Sequence, residues 1–218
     1  MTDHHDHDHP HAPLPGHDGP LTYHQKLEAA VRELLIEKGV FTADDVRRVV
    51  ETIDSQSPLI GARIVARAWL DPAFKQRLLA DGTKAVQEFG ISMGETTRLV
   101  VVENTPQAHN LIVCTLCSCY PRPVLGLPPD WYKSSNYRSR AVHEPRSVLK
   151  EFGTVLPEHL AVRVHDSTAD CRYLVLPQRP AGTDGWDEAK LAELVTRDSM
   201  VGVSLPKLPE PEHVAKTV

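Results

Sequence analysis

Helical periodicity dominates the first part of the chain. Apolar residues recur at helical spacing from Tyr23 to about Gly39, where glycine marks a C-terminal end. Thr42 is a predicted N-cap for a second helix, and Pro58 begins a third. A fourth helix is predicted from Asp71 to Gly90. Short helices without β-alternation predict either an arm that packs on another surface, such as a partner chain, or a small helical subdomain.

The pattern changes after Gly94 to short β-branched runs. Four strands are predicted, and helical segments lie between the first two and the last two. The predicted strands are TRLVVVEN, HNLIVC, LAVRVHD and DCRYLVLP, and the helical segments are PPDWYKSSNYRSRAV, PRSVLKEFG and DEAKLAELVTRDSM. Strand pairs close in sequence with helices between them favour an α+β layer arrangement over an alternating parallel sheet. The predicted fold is therefore α+β, with a helical N-terminal arm followed by a layered mixed α/β domain.

These patterns divide the 218 residues into four parts. Residues 1–20 are predicted to be a disordered tail, because they contain almost nothing apolar to bury. The tail holds six of the twelve histidines, so it is either a weak metal-collecting arm or a solvated extension. Residues 21–93 form the helical arm, residues 94–206 the α+β metal-binding catalytic domain, and residues 207–218 a polar C-terminal tail.

Composition excludes several classes of function. Lysine and arginine total 24 against 29 for aspartate and glutamate, a net charge of −5, and no basic stripe stands out. A nucleic-acid partner is therefore not expected. The longest apolar runs fall far short of the ~20 residues that span a bilayer, so no membrane segment is predicted. The N-terminus lacks a basic region followed by an apolar one, which favours a cytoplasmic protein.

Three of the four cysteines lie close together, at Cys114, Cys117 and Cys119. In a reducing compartment such a cluster indicates a metal or catalytic site more often than a disulfide framework. The spacing C-x-x-C-x-C is rarer than C-x-x-C alone. It follows a predicted strand directly, which places the cysteines on a loop held by a rigid element.

The spacing of this loop allows a planar set of metal ligands. The Cys117 sulfur, the Ser118 backbone nitrogen, and the backbone nitrogen and sulfur of Cys119 close adjacent chelate rings on one ion. Cys114 then supplies an axial sulfur and leaves one position open for water or substrate, unlike a closed structural site. Because an amide nitrogen loses its proton only to a strongly polarising ion, Co(III) or Fe(III) is predicted. Such a Lewis acid hydrates a C≡N bond without redox chemistry.

Three other interpretations of the cluster remain at this stage. The first is a structural zinc site in which His109 joins the three cysteines. The second is a redox dithiol formed by Cys114 and Cys117. The third is a noncatalytic metal carrier, in which the histidine-rich tail collects the ion and the cysteine loop passes it on.

The segment VCTLCSCYPRPVLGLPPDWYKS resembles the metal-binding signature of the nitrile hydratase α subunit. The resemblance extends from about Tyr23 to Pro206 and includes RYLVLPQRPAGTDGW and LVTRDSMVGV. In that family a C-T-L-C-S-C loop marks the cobalt type and C-S-L-C-S-C the iron type. Thr115 therefore favours one noncorrinoid Co(III) ion per chain over iron.

The resemblance implies a complete set of site residues. The metal ligands are Cys114, Cys117, Ser118 and Cys119, with Cys114 an axial thiolate, Cys117 a sulfinate and Cys119 a sulfenate. Cys117, Ser118 and Cys119 are also the implied catalytic residues, and the reaction converts small nitriles to amides. A β subunit, in an αβ or α2β2 assembly, is implied to hold the added oxygens with its arginines, so the chain alone should be inactive. A metallochaperone for cobalt insertion is a further expected partner.

Three positions depart from the common family pattern. Arg122 stands where tryptophan is usual, Glu95 where glutamine is frequent, and His165 where an aromatic residue is found. The resulting C-Y-P-R-P form is similar to the γ subunit of thiocyanate hydrolase, which has the same type of cobalt loop. An arginine close to the pocket suits an anionic substrate, so thiocyanate hydrolysis is the alternative function.

Residues around the loop each carry two interpretations. The flanking aromatic residues either line a substrate pocket or pack in the core, and these are Tyr120, Trp131 and Tyr132. Asp166 and Arg172, on neighbouring predicted strands, either orient groups near the metal or form a cross-strand ion pair. His109 and Asn110 are predicted to form hydrogen bonds rather than bind metal, and Cys171 to be a small buried residue.

Overall fold

The computed structural model describes residues 22–209, and within this span helices give way to a mixed α/β arrangement. The predictions for residues 1–20 and for most of the C-terminal tail lie outside the described residues. The elements are α1 (Tyr23–Glu37), α2 (Ala43–Ser55), α3 (Pro58–Leu70), α4 (Pro72–Ala80), α5 (Gly82–Ala85), a 3-10 turn (Val86–Phe89), β1 (Arg98–Glu103), β2 (Ala108–Val113), α6 (Arg122–Leu125), α7 (Asp130–Lys133), α8 (Ser135–His143), α9 (Pro145–Glu151), β3 (Ala161–Asp166), β4 (Cys171–Leu176), α10 (Glu188–Ala192) and α11 (Arg197–Val201).

The first three helices begin where their capping residues predict. Thr22 and Gln25 form a reciprocal capping box at the start of α1. The Thr42 hydroxyl accepts a hydrogen bond from the Asp45 backbone N–H at 3.1 Å and so caps α2. The Ser57 side chain caps α3 immediately before Pro58, the position at which proline's missing N–H is not needed. These three predictions are confirmed.

The later helices are shorter than the periodicity predicts, because polar side chains inside the predicted segments cap new helices. Asp81 caps α5 and so divides the segment predicted from Asp71 to Gly90. Ser134 caps α8 after α7, and Thr196 caps α11 after α10. An aspartate, serine or threonine that accepts a hydrogen bond from a backbone N–H starts a helix rather than continuing one.

The strands pair in parallel, and strands that are neighbours in the sequence do not pair. β1 pairs with β4, with Val101 opposite Leu174, and β2 pairs with β3, with Leu111 opposite Val164. Parallel pairing needs a long crossover, which the helical segment between β2 and β3 supplies. The mixed α/β class is confirmed, while the expectation that strands close in sequence form the pairs is wrong.

The described backbone divides into two compact units, the first ending at Thr52 and the second beginning at Ile53. The predicted boundaries at residues 93 and 206 remain a prediction. In the second unit, β2 is buried at every position and lies at the centre of the hydrophobic core. Within residues 22–209 no helix combines the length and apolar character that a membrane span requires.

Candidate metal centre

The three clustered cysteines lie on the loop that leaves the carboxyl end of β2. Cys114 directly follows the strand and is fully buried. The chain then reaches the surface at Leu116, whose side chain is 88% exposed. Cys117 is exposed and Cys119 is half-buried. A buried strand therefore fixes the first sulfur, and an exposed turn carries the other two.

The sulfur atoms of these cysteines converge. The Cys117 Sγ lies 3.5 Å from the Cys114 Sγ and 3.3 Å from the Cys119 Sγ, and no pair forms a disulfide. All three atoms lie within 4.8 Å of one another. The backbone N–H groups of Ser118 and Cys119 also interact with the Cys117 sulfur as hydrogen-bond donors. Sulfur donors beside backbone nitrogens fit a transition-metal ion, whereas calcium and magnesium take oxygen ligands.

His109 does not join this group. Among residues 22–209, the closely spaced metal-ligating side chains at the loop are the three cysteines. Both ring nitrogens of His109 are used elsewhere: one lies 2.6 Å from the Gly202 carbonyl oxygen and the other 3.2 Å from Asn104 Nδ2. The hydrogen-bonding prediction for His109 is confirmed, and the interpretation that made it a zinc ligand is wrong.

Asp166 fixes the start of the loop. It is the last residue of β3 and lies opposite Val113 in the strand register. Its carboxylate accepts two hydrogen bonds from Thr115, one from the backbone N–H at 2.9 Å and one from the hydroxyl at 2.5 Å. In this structure the carboxylate orients the residue next to Cys114, which is the first of the two roles predicted for it.

Two side chains from the helices after the loop hold its carbonyl groups. Tyr132 donates from its hydroxyl to the Cys119 carbonyl oxygen at 2.9 Å. Arg138 donates from Nη1 to the Leu116 carbonyl oxygen at 3.1 Å. Arg138 is not indicated by the sequence, because an amphipathic helix pattern does not specify which polar side chain contacts a preceding loop.

The thiols of the loop differ in acidity. Hydrogen bonds with Cys119 and then with Cys114 lower the pKa of Cys117. Burial, followed by the hydrogen bond with Cys117, raises the pKa of Cys119 to about 12. A metal ion binds thiolates, so its binding is coupled to loss of these protons. Of these two thiols, Cys117 is therefore the more exposed and the more acidic, and Cys119 gives up its proton less readily.

Cys117, Ser118 and Cys119 open onto a cleft of about 500 Å³. Two guanidinium groups line this cleft, those of Arg122 and Arg172, and no carboxylate is among the lining residues. Arg172 also favours negative charge on Cys119 and acts to lower its pKa. The rest of the lining is formed by Ile53, Gln56, Met93, Thr97, Tyr120 and Pro123. The cleft beside the cysteines is therefore electropositive.

The flanking aromatic residues divide between the two predicted roles. Tyr120 lines the cleft, and its ring packs edge-to-face on Tyr132 at 4.9 Å. Trp131 packs against Tyr137 at 4.9 Å and against Phe152 at 4.8 Å. Burial raises the pKa of both Tyr120 and Tyr132, which keeps the two hydroxyls protonated. Trp131 and Tyr132 therefore support the loop from the core, and Tyr120 faces the site.

The remaining candidate residues lie away from the sulfurs. Cys171 is buried at the start of β4, as predicted. His165 alternates with Asp166 along β3, and its Nε2 lies 2.8 Å from the Asn110 Oδ1. Glu95 is exposed and lines a separate cleft. Of the three positions that depart from the family pattern, only Arg122 lines the cleft beside the cysteines.

A buried parallel strand that ends in a loop of three converging thiols is typical of a metal-binding α/β protein, and the loop is its candidate metal centre. The profile of the family described as nitrile hydratase, alpha chain, matches residues 22–204. The chain is 52% identical over 181 residues to the low-molecular weight cobalt-containing nitrile hydratase subunit alpha of Rhodococcus rhodochrous, covering 83% of this chain and 87% of that protein. The chain therefore belongs to the nitrile hydratase α-chain family.

Thiocyanate hydrolase is a second relative. The chain is 48% identical over 192 residues to the thiocyanate hydrolase subunit gamma of Thiobacillus thioparus, covering 83% of this chain and 79% of that protein. A solved structure described as recombinant thiocyanate hydrolase comprising partially-modified cobalt centers superimposes with a TM-score of 0.82 at 47% identity. That superposition covers 86% of this chain and 92% of the other, so the two folds agree over almost the whole described region.

Proposed function

We propose that this chain is the metal-binding α subunit of a cobalt-dependent nitrile hydratase, which adds water to a nitrile to form the amide. The observation that carries the proposal is the convergence of three free thiols on one loop beside a cleft. Membership of the family and the cobalt-containing relative support this choice of metal and substrate.

The loop supplies every ligand in this proposal. The sulfurs of Cys114, Cys117 and Cys119 and the backbone nitrogens of Ser118 and Cys119 hold the ion. Trivalent cobalt, when bound, supplies a Lewis acid that polarises a nitrile or a water molecule. The hydrogen bonds from Thr115 to Asp166 keep the loop in place next to the buried Cys114, so the ligands need little rearrangement to bind.

Cys117, Ser118 and Cys119 carry the chemistry on the protein side. Cys117 and Cys119 both line the cleft. Oxidation by dioxygen during maturation is proposed to convert Cys117 to a sulfinate and Cys119 to a sulfenate. The sulfenate oxygen of Cys119 accepts a proton from the water whose oxygen attacks the nitrile carbon. The protonated sulfenate then returns this proton to the nitrile nitrogen, and the imidic acid so formed tautomerises to the amide.

A second chain completes the enzyme in this proposal. Leu27, Val31 and Leu34 recur along α1 at helical spacing, and each side chain is about half exposed, at 48%, 47% and 48%. An apolar stripe on a helix suits burial against a partner. We assign this partner as a nitrile hydratase β subunit, in an αβ or α2β2 assembly. A cobalt metallochaperone and a cytoplasmic location belong to the same proposal.

Thiocyanate hydrolysis is the second candidate, and Arg122 is the observation that favours it. The guanidinium of Arg122 lines the cleft together with that of Arg172, and the cleft contains no carboxylate to offset them. Such a cleft attracts the thiocyanate anion more strongly than a neutral nitrile. The relative from Thiobacillus thioparus supports this alternative.

The test uses the full chain produced with its β subunit in medium containing cobalt. Elemental analysis of the purified complex and assays on acrylonitrile and on thiocyanate are made on the same preparation. We expect about one cobalt per α chain and hydration of acrylonitrile to acrylamide. A complex that contains cobalt but acts only on thiocyanate would select the second candidate. Zinc in place of cobalt, with no hydration of either substrate, would exclude both.

A further inference from the structure

Arg172 carries a buried hydrogen-bond donor that is unpaired in the part of the chain that the structure describes. It directly follows the buried Cys171 on β4, and its side chain lines the cleft beside Cys117, Ser118 and Cys119. Its Nη1 atom is buried and has no hydrogen-bond partner among residues 22–209. Because a buried guanidinium nitrogen without an acceptor is costly, its position indicates an acceptor that residues 22–209 do not supply in their unmodified form.

The lining of the cleft limits what this acceptor is. No aspartate or glutamate lines the cleft. The exposed Asp170 is near enough for Arg172 to favour its charged form, and it accepts a hydrogen bond from the Thr168 hydroxyl at 2.6 Å, but it is not a hydrogen-bond partner of the buried Arg172 Nη1. The groups of this chain that can become anionic there are the cysteine side chains. A thiol sulfur is a weak acceptor, whereas an oxygen bound to an oxidised sulfur is a charged and strong one.

We propose that Arg172 is a positioning residue that binds the oxygen carried by Cys119 once that sulfur is oxidised. The inference rests on the proposed function, since it requires Cys119 to be a sulfenate in the mature enzyme. The contact gives the α chain its own donor to this oxygen, in addition to the β-subunit arginines that the family resemblance implies. It fixes the direction of the oxygen towards the cleft and compensates its negative charge.

The placement of Arg172 suits this role. β4 pairs along its whole length with β1, so the backbone of Arg172 is held in register opposite Leu99. A guanidinium group has several N–H donors in one plane. When the group is carried by a rigid strand, it loses little conformational entropy on binding an acceptor. Arg122, in contrast, is exposed on the short helix α6, where it is accessible to a substrate anion. The two arginines of the cleft therefore have different tasks.

The test compares Arg172→Gln, Arg172→Lys and the control Arg163→Gln in the cobalt-loaded complex with the β subunit. Arg163 is an exposed arginine on β3 that does not line the cleft. The measurements are the mass of the peptide that carries Cys114 to Cys119, the cobalt content and the pH profile of hydration. In Arg172→Gln we expect the fraction of Cys119 with a single oxygen to fall about tenfold and the pH profile to shift, as for loss of an outer-shell partner.

Arg172→Lys keeps the positive charge but lacks the planar set of donors, so it should restore part of the fraction of Cys119 that carries a single oxygen. Arg163→Gln should match the unmodified enzyme. The lysine variant also covers the case in which Arg172→Gln does not fold. Unchanged oxidation and an unchanged pH profile in either Arg172 variant would overturn the inference. Active cobalt enzyme whose Cys119 carries no oxygen would also overturn it, together with the proton-accepting role of that oxygen, while leaving the assignment as a cobalt nitrile hydratase intact. An unmodified complex without cobalt or hydration would overturn both.

Discussion

The two ends of β2 use buried polar groups in opposite ways. At the first end, His109 and Asn110 are buried, and their partners are supplied by the chain itself. The His109 ring lies 2.6 Å from the Gly202 carbonyl oxygen, and Asn110 Nδ2 donates to the Glu103 carbonyl oxygen at 2.7 Å. These hydrogen bonds join residues of the same chain, which is typical of a structural hydrogen-bond network.

Just beyond the other end of β2, the backbone of the loop is hydrogen-bonded by Asp166, Tyr132 and Arg138, but two buried polar side-chain atoms nearby lack partners among residues 22–209. The sulfurs of Cys114, Cys117 and Cys119 contact one another, and the buried Tyr120 Oη and Arg172 Nη1 atoms have no hydrogen-bond partner within residues 22–209. Unsatisfied buried groups in a native fold call for an explanation. The contrast teaches that the polar groups at the first end stabilise the fold, whereas those at the second end are free to serve the proposed metal centre.

The largest effect is expected at the cysteine end. Cys117→Ala or Cys119→Ala removes a sulfur ligand and a proposed catalytic group, so hydration by the cobalt-treated complex should fall to background. The measurement is the rate of acrylonitrile hydration per cobalt atom. Cys171→Ala is the matched control, because Cys171 is a buried cysteine outside the group of converging sulfurs. A Cys119→Ala complex that holds cobalt and turns over normally would contradict the assignment.

An intermediate effect is expected at the support of the loop. Asp166→Asn replaces a carboxylate that accepts two hydrogen bonds from Thr115. We expect cobalt affinity or the hydration rate to fall about 10- to 100-fold, as for other outer-shell changes. Cobalt content after dialysis against a chelator measures the affinity. The exposed Asp184→Asn variant serves as the control, and equal cobalt retention in both variants would show that Asp166 does not support the site.

A change at the first end of β2 should affect stability and leave the metal centre intact. Asn110→Ala removes the donor to the Glu103 carbonyl and the acceptor 2.8 Å from the His165 Nε2. We expect the free energy of unfolding to fall by about 2 kcal/mol, because buried partners lose their hydrogen bonds. Denaturant unfolding measures this loss, and the exposed Asn136→Ala is its control. Loss of cobalt from the folded Asn110 variant would remove the distinction between the two ends.

The smallest effect is a pH dependence of stability from the same network. Burial lowers the pKa of His109 and of His165 from the ordinary value of 6.5. Between the folded and unfolded pKa values the unfolded state binds more protons, so stability holds above pH 6.5 and declines as the pH falls below it. The slope is at most about 1.4 kcal/mol per pH unit for each histidine. Unfolding measured from about pH 7.5 to 5.5 should show a shallower decline in His109→Gln, and an equal decline would contradict this origin.

The types of element were predictable from the sequence because their signals are local. Thr42 and Pro58 mark helix starts through hydrogen bonds and ring geometry that involve only adjacent turns. The break at Asp81 was missed because its side chain caps a new helix within an unbroken apolar pattern. The parallel pairing of β1 with β4 depends on contacts across a long stretch of chain, and alternation within each strand does not specify it.

The same division applies to the site. The C-x-x-C-x-C spacing predicts the converging sulfurs because the ligands lie within six consecutive residues. The hydrogen bond between Thr115 and Asp166 joins residues 51 positions apart, so the sequence offered only two alternatives for Asp166. Arg138 carried no signal, since its contact with the loop depends on how α8 packs against β2. Metal ligands that lie within one loop can be predicted from the sequence. The residues that support the loop from distant elements can be identified only from the three-dimensional structure.

X-ray absorption at the cobalt edge of the purified complex tests the central claim most directly. If the cysteine loop holds the ion through side chains and backbone, the nearest shell contains sulfur and nitrogen atoms together in octahedral geometry. A tetrahedral ion bound by four side-chain donors, or a shell without sulfur, would contradict the account.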